Sequence, residues 1–233
     1  MSSFDWQELL KLDTSVSGQE RLTDVWDNGN ACNYSADGTR LLDAENYPGV
    51  VRVREGTKVI CDGVFAFQDY MAEDRRIGEE IPGEERISFL DRIHLPATVT
   101  HIGTAAFLEC GWMRSIRLPK SLQVIGEAAF CGCWQLGGVA CPASLRVIGD
   151  NAFAECFSLE YVRLNKGLKA IGAGAFYSCD ALEEVMMPCD LDFLGSDAFD
   201  GAKALKRIYV RRELREKYLS MLPAPLHRKL RNI

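Results

Sequence analysis

Apolar residues recur along the chain with a fixed period of 23 residues. Five phenylalanines mark this period without any insertion between them: Phe107, Phe130, Phe153, Phe176 and Phe199. An alanine precedes each phenylalanine, and a glycine that follows Ile or Leu lies four residues before it. A unit this short cannot enclose a core alone, so each unit must bury its apolar face against its neighbours. The period therefore predicts a solenoid.

Each repeat ends in an alternation of apolar and polar residues, which is typical of a short strand. In the segment 159–164, Val162 and Leu164 are expected to face inward, and Tyr161 and Arg163 outward. A proline follows four of these strands and ends the hydrogen-bond ladder: Pro96, Pro119, Pro142 and Pro188. The recurrent glycine predicts a turn whose backbone angles other residues resist. The Ala-Phe pair is expected on a short helical or extended convex segment.

The combined motif resembles that of a known family. It reads Leu-x-x-Ile-Gly-x-x-Ala-Phe-x-x-Cys-x-x-Leu-x-x-Ile-x-Leu-Pro. One repeat carries it almost completely: Leu145, Ile148, Gly149, Ala152, Phe153, Cys156, Leu159, Val162 and Leu164. This motif resembles the BspA-type (Treponema-type) leucine-rich repeat over about residues 50–211.

The resemblance implies a leucine-rich repeat solenoid of mostly β structure. It implies about six 23-residue repeats, one parallel β-sheet on the concave face, an N-terminal β-hairpin cap and a C-terminal helical cap. It also implies a non-catalytic recognition protein, and many relatives look like bacterial surface or adhesion proteins.

Residues 1–49 are predicted to form the N-terminal cap. A helix over residues 4–12 would bury its apolar side chains, Phe4, Leu9, Leu10 and Leu12. The segments 32–34 and 39–42 are predicted to form a β-hairpin across an Asp-Gly turn. Such a cap covers the backbone groups that an open end of a solenoid leaves unpaired.

A degenerate first repeat follows the cap. Val51 and Val53 match inward strand positions, and Ile60 and Phe65 keep the spacing of the later repeats. An insertion of 19 residues, within about 66–89, then interrupts the period; this range holds seven acids and three arginines. Such a polar insertion is expected to be a solvated loop, and the alternative is a lid that contacts a partner.

The repeats are predicted to end at residues 208–210, before a basic cap at 212–233. A helix over 212–222 is expected to face inward with Leu214, Tyr218 and Met221 or Leu222, and Pro223 and Pro225 would end it. The net charge from Lys206 onward is +7. This charge could attract an acidic partner or nucleic acid, but a solvated cap is the favoured interpretation.

The composition is that of an ordinary globular chain. It has 233 residues, of which 47% are hydrophobic and 26% charged, and a formal net charge of −6, which argues against nucleic-acid binding. The first residues lack the features of a secretory signal peptide, and no apolar run approaches the ~18 residues of a membrane span. We therefore expect a cytoplasmic protein; a secreted or cell-surface protein, exported by a route that this chain does not encode, is the alternative.

Nine cysteines are the main candidates for chemistry. Four lie three residues after a phenylalanine, at a position that Ala202 takes in the last repeat: Cys110, Cys133, Cys156 and Cys179. The alanine indicates that the position favours a small buried residue. Parallel side chains about 5 Å apart suit a disulfide poorly and cannot surround a zinc ion. We expect a column of reduced thiols, which favours the cytosol.

No motif indicates an enzyme or a cofactor. His94, His101 and His227 have no acid, thiol or nucleophile at a recognised spacing, and Cys131-Gly-Cys133 is a weak metal or redox signal. The chain has no phosphate-binding loop, nucleophile elbow or metalloprotease motif. We therefore expect a non-enzymatic protein without a metal or cofactor, and a thiol-redox or metal protein is a distant alternative.

The outward strand residues are the candidate ligand-binding residues. They lie on the concave face: Arg52, Arg92, His94, Arg117, Tyr161, Arg163, Glu184, Arg207 and Tyr209. Arginine and tyrosine are frequent hot spots, and a rigid sheet lowers the entropy lost on binding. The small residues Gly137, Gly138 and Ala140 predict a dip between Arg117 and Arg163.

Three functional interpretations follow from this face. The first is a protein–protein interaction scaffold that binds a protein or an acidic peptide. In the second, the arginines only pair with Glu160, Glu183 and Glu184 of neighbouring strands and keep the sheet soluble. The third is a bacterial surface or secreted adhesion-type module that binds host protein or glycan.

Overall fold

The repeating unit of the sequence is the repeating unit of the fold. The structure, a computed structural model, describes residues 12–27, 32–44, 49–66 and 90–233. In these ranges the chain winds into a solenoid, as predicted. We number its repeats 1 to 6 by their phenylalanines, beginning with Phe65 in repeat 1 and Phe107 in repeat 2.

The described residues contain short strands throughout and helices only near the two ends. In chain order the elements are α1 (Gly18–Leu22), β1 (Val25–Asp27), β2 (Cys32–Tyr34), β3 (Arg40–Ala44), β4 (Val50–Arg52), β5 (Val59–Ile60), β6 (Arg92–His94), β7 (His101–Ile102), β8 (Val124–Ile125), β9 (Gly138–Ala140), β10 (Val147–Ile148), β11 (Tyr161–Arg163), β12 (Ala170–Ile171), β13 (Glu184–Met186), β14 (Phe193–Leu194), β15 (Arg207–Val210), α2 (Arg215–Met221), α3 (Ala224–His227) and β16 (Leu230–Asn232).

The longest sheet is one that the sequence analysis does not predict. Its nine strands run in the order β1-β2-β3-β5-β7-β8-β10-β12-β14. From β5 onward each strand is two residues long, ends just before a repeat glycine or its equivalent, and pairs in parallel with the next repeat. At the other end, β2 pairs antiparallel with β3, which confirms the predicted hairpin.

The strands that end each repeat form two further sheets. One has the order β16-β15-β13-β11-β9, and the other pairs β4 with β6. In β11 Val162 is buried between exposed Tyr161 and Arg163, as predicted. The single predicted sheet is divided because residues 115–117 of repeat 2 form no strand. The neighbouring segment of repeat 3 begins with Gly137 and Gly138, which have no side chain to pack across this gap.

The repeat glycines are required because the backbones of neighbouring repeats leave no room for a Cβ at these positions. A Cβ on Gly126 would lie 2.7 Å from the carbonyl carbon of Gly103, and one on Gly149 would lie 2.7 Å from that of Gly126. None of the five repeat glycines has a positive φ, so the prediction of special turn angles there was wrong. Apart from Gly38 and Gly56, the left-handed residues in the described ranges lie two positions before or after a phenylalanine: Gly63, Ala105, Glu109, Ala128, Gly132, Asn151, Glu155, Gly174, Ser178 and Gly201.

Between these left-handed residues, the Ala-Phe segment is a series of turns and contains no helix. Its backbone amides donate hydrogen bonds to the next repeat. The N–H groups of Phe107, Phe130 and Phe153 donate to carbonyl oxygens of the following repeat, each over 2.8 Å. Hydrogen bonds between repeats thus link this side of the solenoid as well as the two sheet sides.

The phenylalanine rings form one continuous stack inside the solenoid. The centroids of successive rings, from Phe65 to Phe199, are 5.1, 5.0, 5.1, 5.6 and 5.5 Å apart, and no pair of planes diverges by more than 6°. The stack and the β5–β7 pair join repeats 1 and 2, and the β4–β6 pair links the strands before and after the insertion. The predicted acidic loop at 66–89 lies outside the described residues except for Ala66.

The cysteine column lies beside this stack. Each buried thiol donates a hydrogen bond to the carbonyl of a phenylalanine in the preceding repeat: Cys110 to Phe65 (3.2 Å), Cys133 to Phe107 (3.3 Å), Cys156 to Phe130 (3.3 Å) and Cys179 to Phe153 (3.2 Å). All nine cysteines are free, which confirms the predicted absence of disulfides. Burial raises the pKa of Cys179 to about 12 and holds the pKa of Cys133 well above its usual range.

The first described residues depart from the predicted cap. Of the predicted helix over 4–12, only Leu12 is described, and it is 43% exposed, which contradicts its predicted burial. The helix α1 was not predicted. Ser17 and Glu20 form a capping box at its start, in which each side chain accepts a hydrogen bond from the other residue's backbone N–H.

The end of the chain adds a strand that was not predicted. After a 3-10 turn at Arg212–Leu214, α2 buries Tyr218, whose hydroxyl donates to the carbonyl of Pro188. Pro223 follows this helix as predicted, but Pro225 lies in the first turn of α3 and does not end a helix. The chain then returns as β16 in parallel with β15. The boundaries of cap, solenoid and tail stay predictions.

Removing one ring from the middle of the stack should destabilise more than removing its last ring. Phe153→Ala should lower the free energy of unfolding by roughly 3–5 kcal/mol, because neighbours on both sides lose contact. Phe199→Ala should cost less and expose only the last repeats, since its ring has one neighbour in the stack. Urea unfolding and hydrogen exchange measure both effects. Equal effects at the two positions would contradict a solenoid of nearest-neighbour contacts.

The space requirement can be tested with two glycines of repeat 3. Gly126→Ala should lower the free energy of unfolding by about 3 kcal/mol, the upper range for overpacking, because the obstructing atoms are backbone. Gly137→Ala is the matched control: the nearest atom to its Cβ lies 3.9 Å away, and the expected change is within about 0.5 kcal/mol. Similar losses in the two variants would show that close backbone approach is not the reason for the glycine.

Alkaline pH should destabilise the protein through its buried thiols. The folded state keeps the Cys133 proton above pH 9.0, the ordinary pKa that the unfolded chain adopts. The stabilisation that a buried protonated thiol provides is therefore complete below this pH. As pH rises above it, the free energy of unfolding falls by up to about 1.4 kcal/mol per pH unit for each thiol. In urea unfolding under reducing conditions, Cys133→Ala should reduce this slope between pH 9 and 10. An unchanged slope would refute the linkage.

Candidate interaction face

The predicted ligand-binding residues lie on one set of strands. We call the outward side chains of β4, β6, residues 115–117, β9, β11, β13 and β15 the strand face. Strand register puts Arg52 opposite His94, and Glu184 opposite both Tyr161 and Arg207. Seven of the nine residues are exposed, while Glu184 and Tyr209 are half-buried. The repeat register thus brings the predicted residues to the outward side of these strands.

The middle of the strand face is filled by a tyrosine. A Cβ on Gly138 would lie only 2.2 Å from a ring carbon of Tyr161, so the ring lies directly on this glycine. The predicted dip at Gly138 is therefore wrong. The guanidinium carbon of Arg163 lies 5.5 Å from the centre of the same ring, within the range of a cation–π contact. The glycine of repeat 3 and the Tyr161 and Arg163 side chains of repeat 4 form a packed unit.

The last two repeats neutralise their own charges. Arg207 forms an ion pair with Glu184, and the ammonium of Lys206 donates to the carboxylate of Glu183 over 2.8 Å. That hydrogen bond lowers the pKa of Glu183. Exposed pairs of this kind add little to stability, because the solvent screens their charges. The interpretation that charges only pair laterally therefore describes this end of the face.

The middle repeats are different. Among the described residues, no ion pair links Arg92, Arg117 or Arg163 to an acidic side chain. All three are exposed. The positive charge that remains available to a ligand therefore belongs to repeats 1 to 4, and the end at repeats 5 and 6 contributes much less.

The predicted site omits a group of exposed aromatic side chains beside these strands. They are Trp112, Trp134 and Phe157 in repeats 2, 3 and 4. The ring of Trp134 lies on Gly111, where an added Cβ would be 2.6 Å from Cε3. Trp134 and Phe157 hold equivalent positions, which Asp180 and Lys203 hold in later repeats. The sequence signal that could have identified them is a large apolar residue at a repeat position that faces solvent.

The described residues contain no cluster of side chains suited to hold a metal ion. In ranges 12–27, 32–44, 49–66 and 90–233, no three His, Cys, Asp or Glu side chains are placed to hold a metal ion. His94 is exposed on β6, His101 is buried on β7, and His227 lies in α3 with Nε2 2.8 Å from the carbonyl oxygen of Leu222. In the same part of the chain, no helix is long and apolar enough to cross a membrane.

Known proteins share both the motif and the fold. Residues 86–209 match the family described as BspA type Leucine rich repeat region, in 6 copies. No curated protein sequence matches the chain. Among solved structures, the T. pallidum leucine-rich repeat protein TpLRR is similar at 23% identity and a TM-score of 0.51, over 84% of this chain and 71% of that one.

Two further structures extend this likeness. A leucine-rich cell surface protein from Faecalibacterium prausnitzii has 21% identity and a TM-score of 0.55, over 79% of this chain and 54% of its own. The pneumococcal vaccine antigen PcpA has 17% identity and a TM-score of 0.66, over 94% and 49%. The chain thus spans about half the length of these two proteins. With its family match over more than half of its residues, the chain belongs to the BspA-type leucine-rich repeat family.

Proposed function

We propose that this protein is a non-enzymatic interaction scaffold whose strand face binds an acidic peptide or an acidic protein surface. Leucine-rich repeat proteins are generally protein-interaction scaffolds. The observation that carries the proposal is the set of exposed arginines without an acidic partner among the described residues, Arg92, Arg117 and Arg163. Their guanidinium groups are suited to bind carboxylates with two parallel hydrogen bonds.

The packing of these side chains favours binding. Arg163 rests on Tyr161, which rests on Gly138, so the side chains lose little conformational freedom when a ligand arrives. Neighbouring strands of a sheet are about 4.8 Å apart, which places the backbones of repeats 2 and 4 about 10 Å apart. Arg117 and Arg163 could therefore bind two carboxylates of one ligand at about this separation. Exposed pairs of this kind weaken as salt rises.

A second candidate function is a surface or secreted adhesion-type module for host protein or glycan. The fold shared with the pneumococcal vaccine antigen favours it, together with exposed Trp112, Trp134 and Phe157, since aromatic rings beside a polar sheet suit both ligand classes. The column of buried free thiols favours the cytoplasm instead. Fractionation of cells that make the protein decides between the two locations.

Charge reversal in the middle of the strand face should weaken binding of an acidic ligand. We expect Arg117→Glu with Arg163→Glu to weaken the affinity for a poly-glutamate peptide at least about tenfold, because two favourable charge contacts become repulsive. The thermal unfolding temperature should stay nearly unchanged, since both side chains are exposed. Fluorescence anisotropy with a labelled peptide at low salt measures the affinity, and pull-down with the same variants extends the test to natural partners.

The matched control reverses two other charges in the same repeats. Lys120 and Lys166 lie three residues after Arg117 and Arg163, and both are exposed. The double variant Lys120→Glu, Lys166→Glu has the same net charge as the arginine variant and should keep wild-type affinity. If the arginine variant still binds, or if both variants lose binding equally, the ligand does not depend on the strand face.

A further inference from the structure

A row of exposed aromatic rings lies beside the strand face, over the same repeats as its central arginines. Trp112, Trp134 and Phe157 belong to repeats 2, 3 and 4 and are 51, 46 and 43% exposed. We call these three side chains the aromatic row. Arg117 and Arg163 lie in repeats 2 and 4 and are also exposed. This part of the solenoid therefore presents cationic and apolar side chains together.

Ion pairs replace both kinds of side chain in the last two repeats. Asp180 and Lys203 continue the repeat position of the last two rings of the aromatic row, and the Lys203 ammonium donates to the Asp180 carboxylate over 2.8 Å. On the strand face, Glu184 and Arg207 form an ion pair between the same two repeats. The aromatic row and the exposed arginines thus end at the same place, after repeat 4.

The backbone beneath the aromatic row is held by hydrogen bonds between repeats. The carbonyl of Trp134 accepts a hydrogen bond from the N–H of Ser158 over 3.1 Å, and that of Phe157 accepts one from Ala181 over 3.2 Å. The ring of Trp134 packs on Gly111 of the preceding repeat. Large exposed rings on a fixed backbone lose little freedom on binding and are typical of an interaction surface.

The distance between the arginines and the aromatic row indicates how wide a shared ligand must be. Phe157 and Arg163 are six positions apart, so their backbones are at most about 22 Å apart. The guanidinium of Arg163 lies against the ring of Tyr161, which is closer in sequence to Phe157. An α-helix with its side chains is about 10–12 Å wide and can contact both groups. An extended peptide takes the width of one strand, about 4.8 Å, and can contact one of them.

The spacing of the arginines also favours a helix. Arg117 and Arg163 are two repeats apart, which is about 10 Å at about 4.8 Å per repeat. In an extended peptide only every second side chain points to one face, so side chains on that face are about 6.6 or 13 Å apart. In an α-helix, residues seven positions apart lie on one face at about 10.5 Å. Two carboxylates with this helical spacing match the two guanidinium groups.

We propose that the acidic ligand of the strand face is an amphipathic α-helix that lies along repeats 2 to 4. Its carboxylates contact Arg117 and Arg163, and its apolar side chains contact the aromatic row. This inference rests on the proposed function, to which it adds the conformation and the apolar face of the ligand. The apolar contact provides an attraction that salt does not screen, unlike the charge contacts.

Two peptides of identical composition test the proposal on the full-length chain. Each has about 15 residues of good helix formers. One places Glu at positions seven apart and Leu on the adjacent face, and the other has the same residues with the two faces mixed. We expect the segregated peptide to bind at least about tenfold tighter in fluorescence anisotropy at low salt. Equal affinities would overturn the proposal, while binding of poly-glutamate would leave the proposed function intact.

Substitutions in the aromatic row separate the apolar contact from the charge contact. Trp134→Ser with Phe157→Ser should weaken binding of the segregated peptide about tenfold, because apolar contact is lost. The affinity for poly-glutamate, which has no apolar side chain, should stay unchanged. The control Tyr177→Ser removes a ring that is 42% exposed in the turn segment of repeat 5, and it should change neither affinity.

Three other outcomes would overturn the proposal. Loss of poly-glutamate binding in the double serine variant would show that the rings support the arginines and do not contact the ligand. Binding of the neutral oligosaccharide cellohexaose that depends on the same rings, without a preference between the two peptides, would assign the aromatic row to a glycan. If poly-glutamate and both peptides all fail to bind, the proposed function fails as well.

Discussion

The close approach of successive backbones at the repeat glycines is the constraint on which the rest of the structure depends. At Gly126 and Gly149 an added Cβ would lie within 3 Å of the preceding repeat's backbone. This contact sets one spacing for the whole solenoid. At that spacing the phenylalanine rings stack 5.0–5.6 Å apart, and each thiol of the cysteine column reaches a phenylalanine carbonyl of the preceding repeat. Stacking, thiol hydrogen bonds and strand pairing therefore stabilise the same geometry.

The same spacing determines what the strand face can do. Equivalent residues of neighbouring repeats lie side by side. The charge and shape of the strand face at each point therefore depend on which two residues are neighbours. Glu184 beside Arg207 forms a neutral pair. Gly138 beside Tyr161 leaves room for the tyrosine ring to pack on the glycine, and this ring in turn contacts Arg163. Two ends of one sheet thus differ in charge although their backbones are alike. A ligand that approaches this surface meets fixed groups with little freedom to lose.

The sequence predicts the features that recur as the same residue type in every repeat. It does not predict the features that recur only as a backbone conformation. Phe153 and Cys156 recur at fixed positions, so the stack, the thiol column and the outward strand residues follow from the period. The strand Val147–Ile148 is short and apolar at both residues, so no alternation marks it. Ala105 and Glu109 take left-handed angles that are uncommon for their residue types, so the residue types do not predict them. The positions of the candidate site were predictable, but its pairings depend on neighbours 23 residues away.

The continuity of the stack between repeats 1 and 2 has a consequence for the evolution of this chain. Phe65 and Phe107 are neighbours in space although 42 positions separate them in sequence, almost twice the usual period. The junction therefore accepts additional sequence without loss of contact between the flanking repeats. Because loop closure costs grow only slowly with length, segments of very different size can be exchanged there. The solenoid is a scaffold into which a new module can be grafted at this junction.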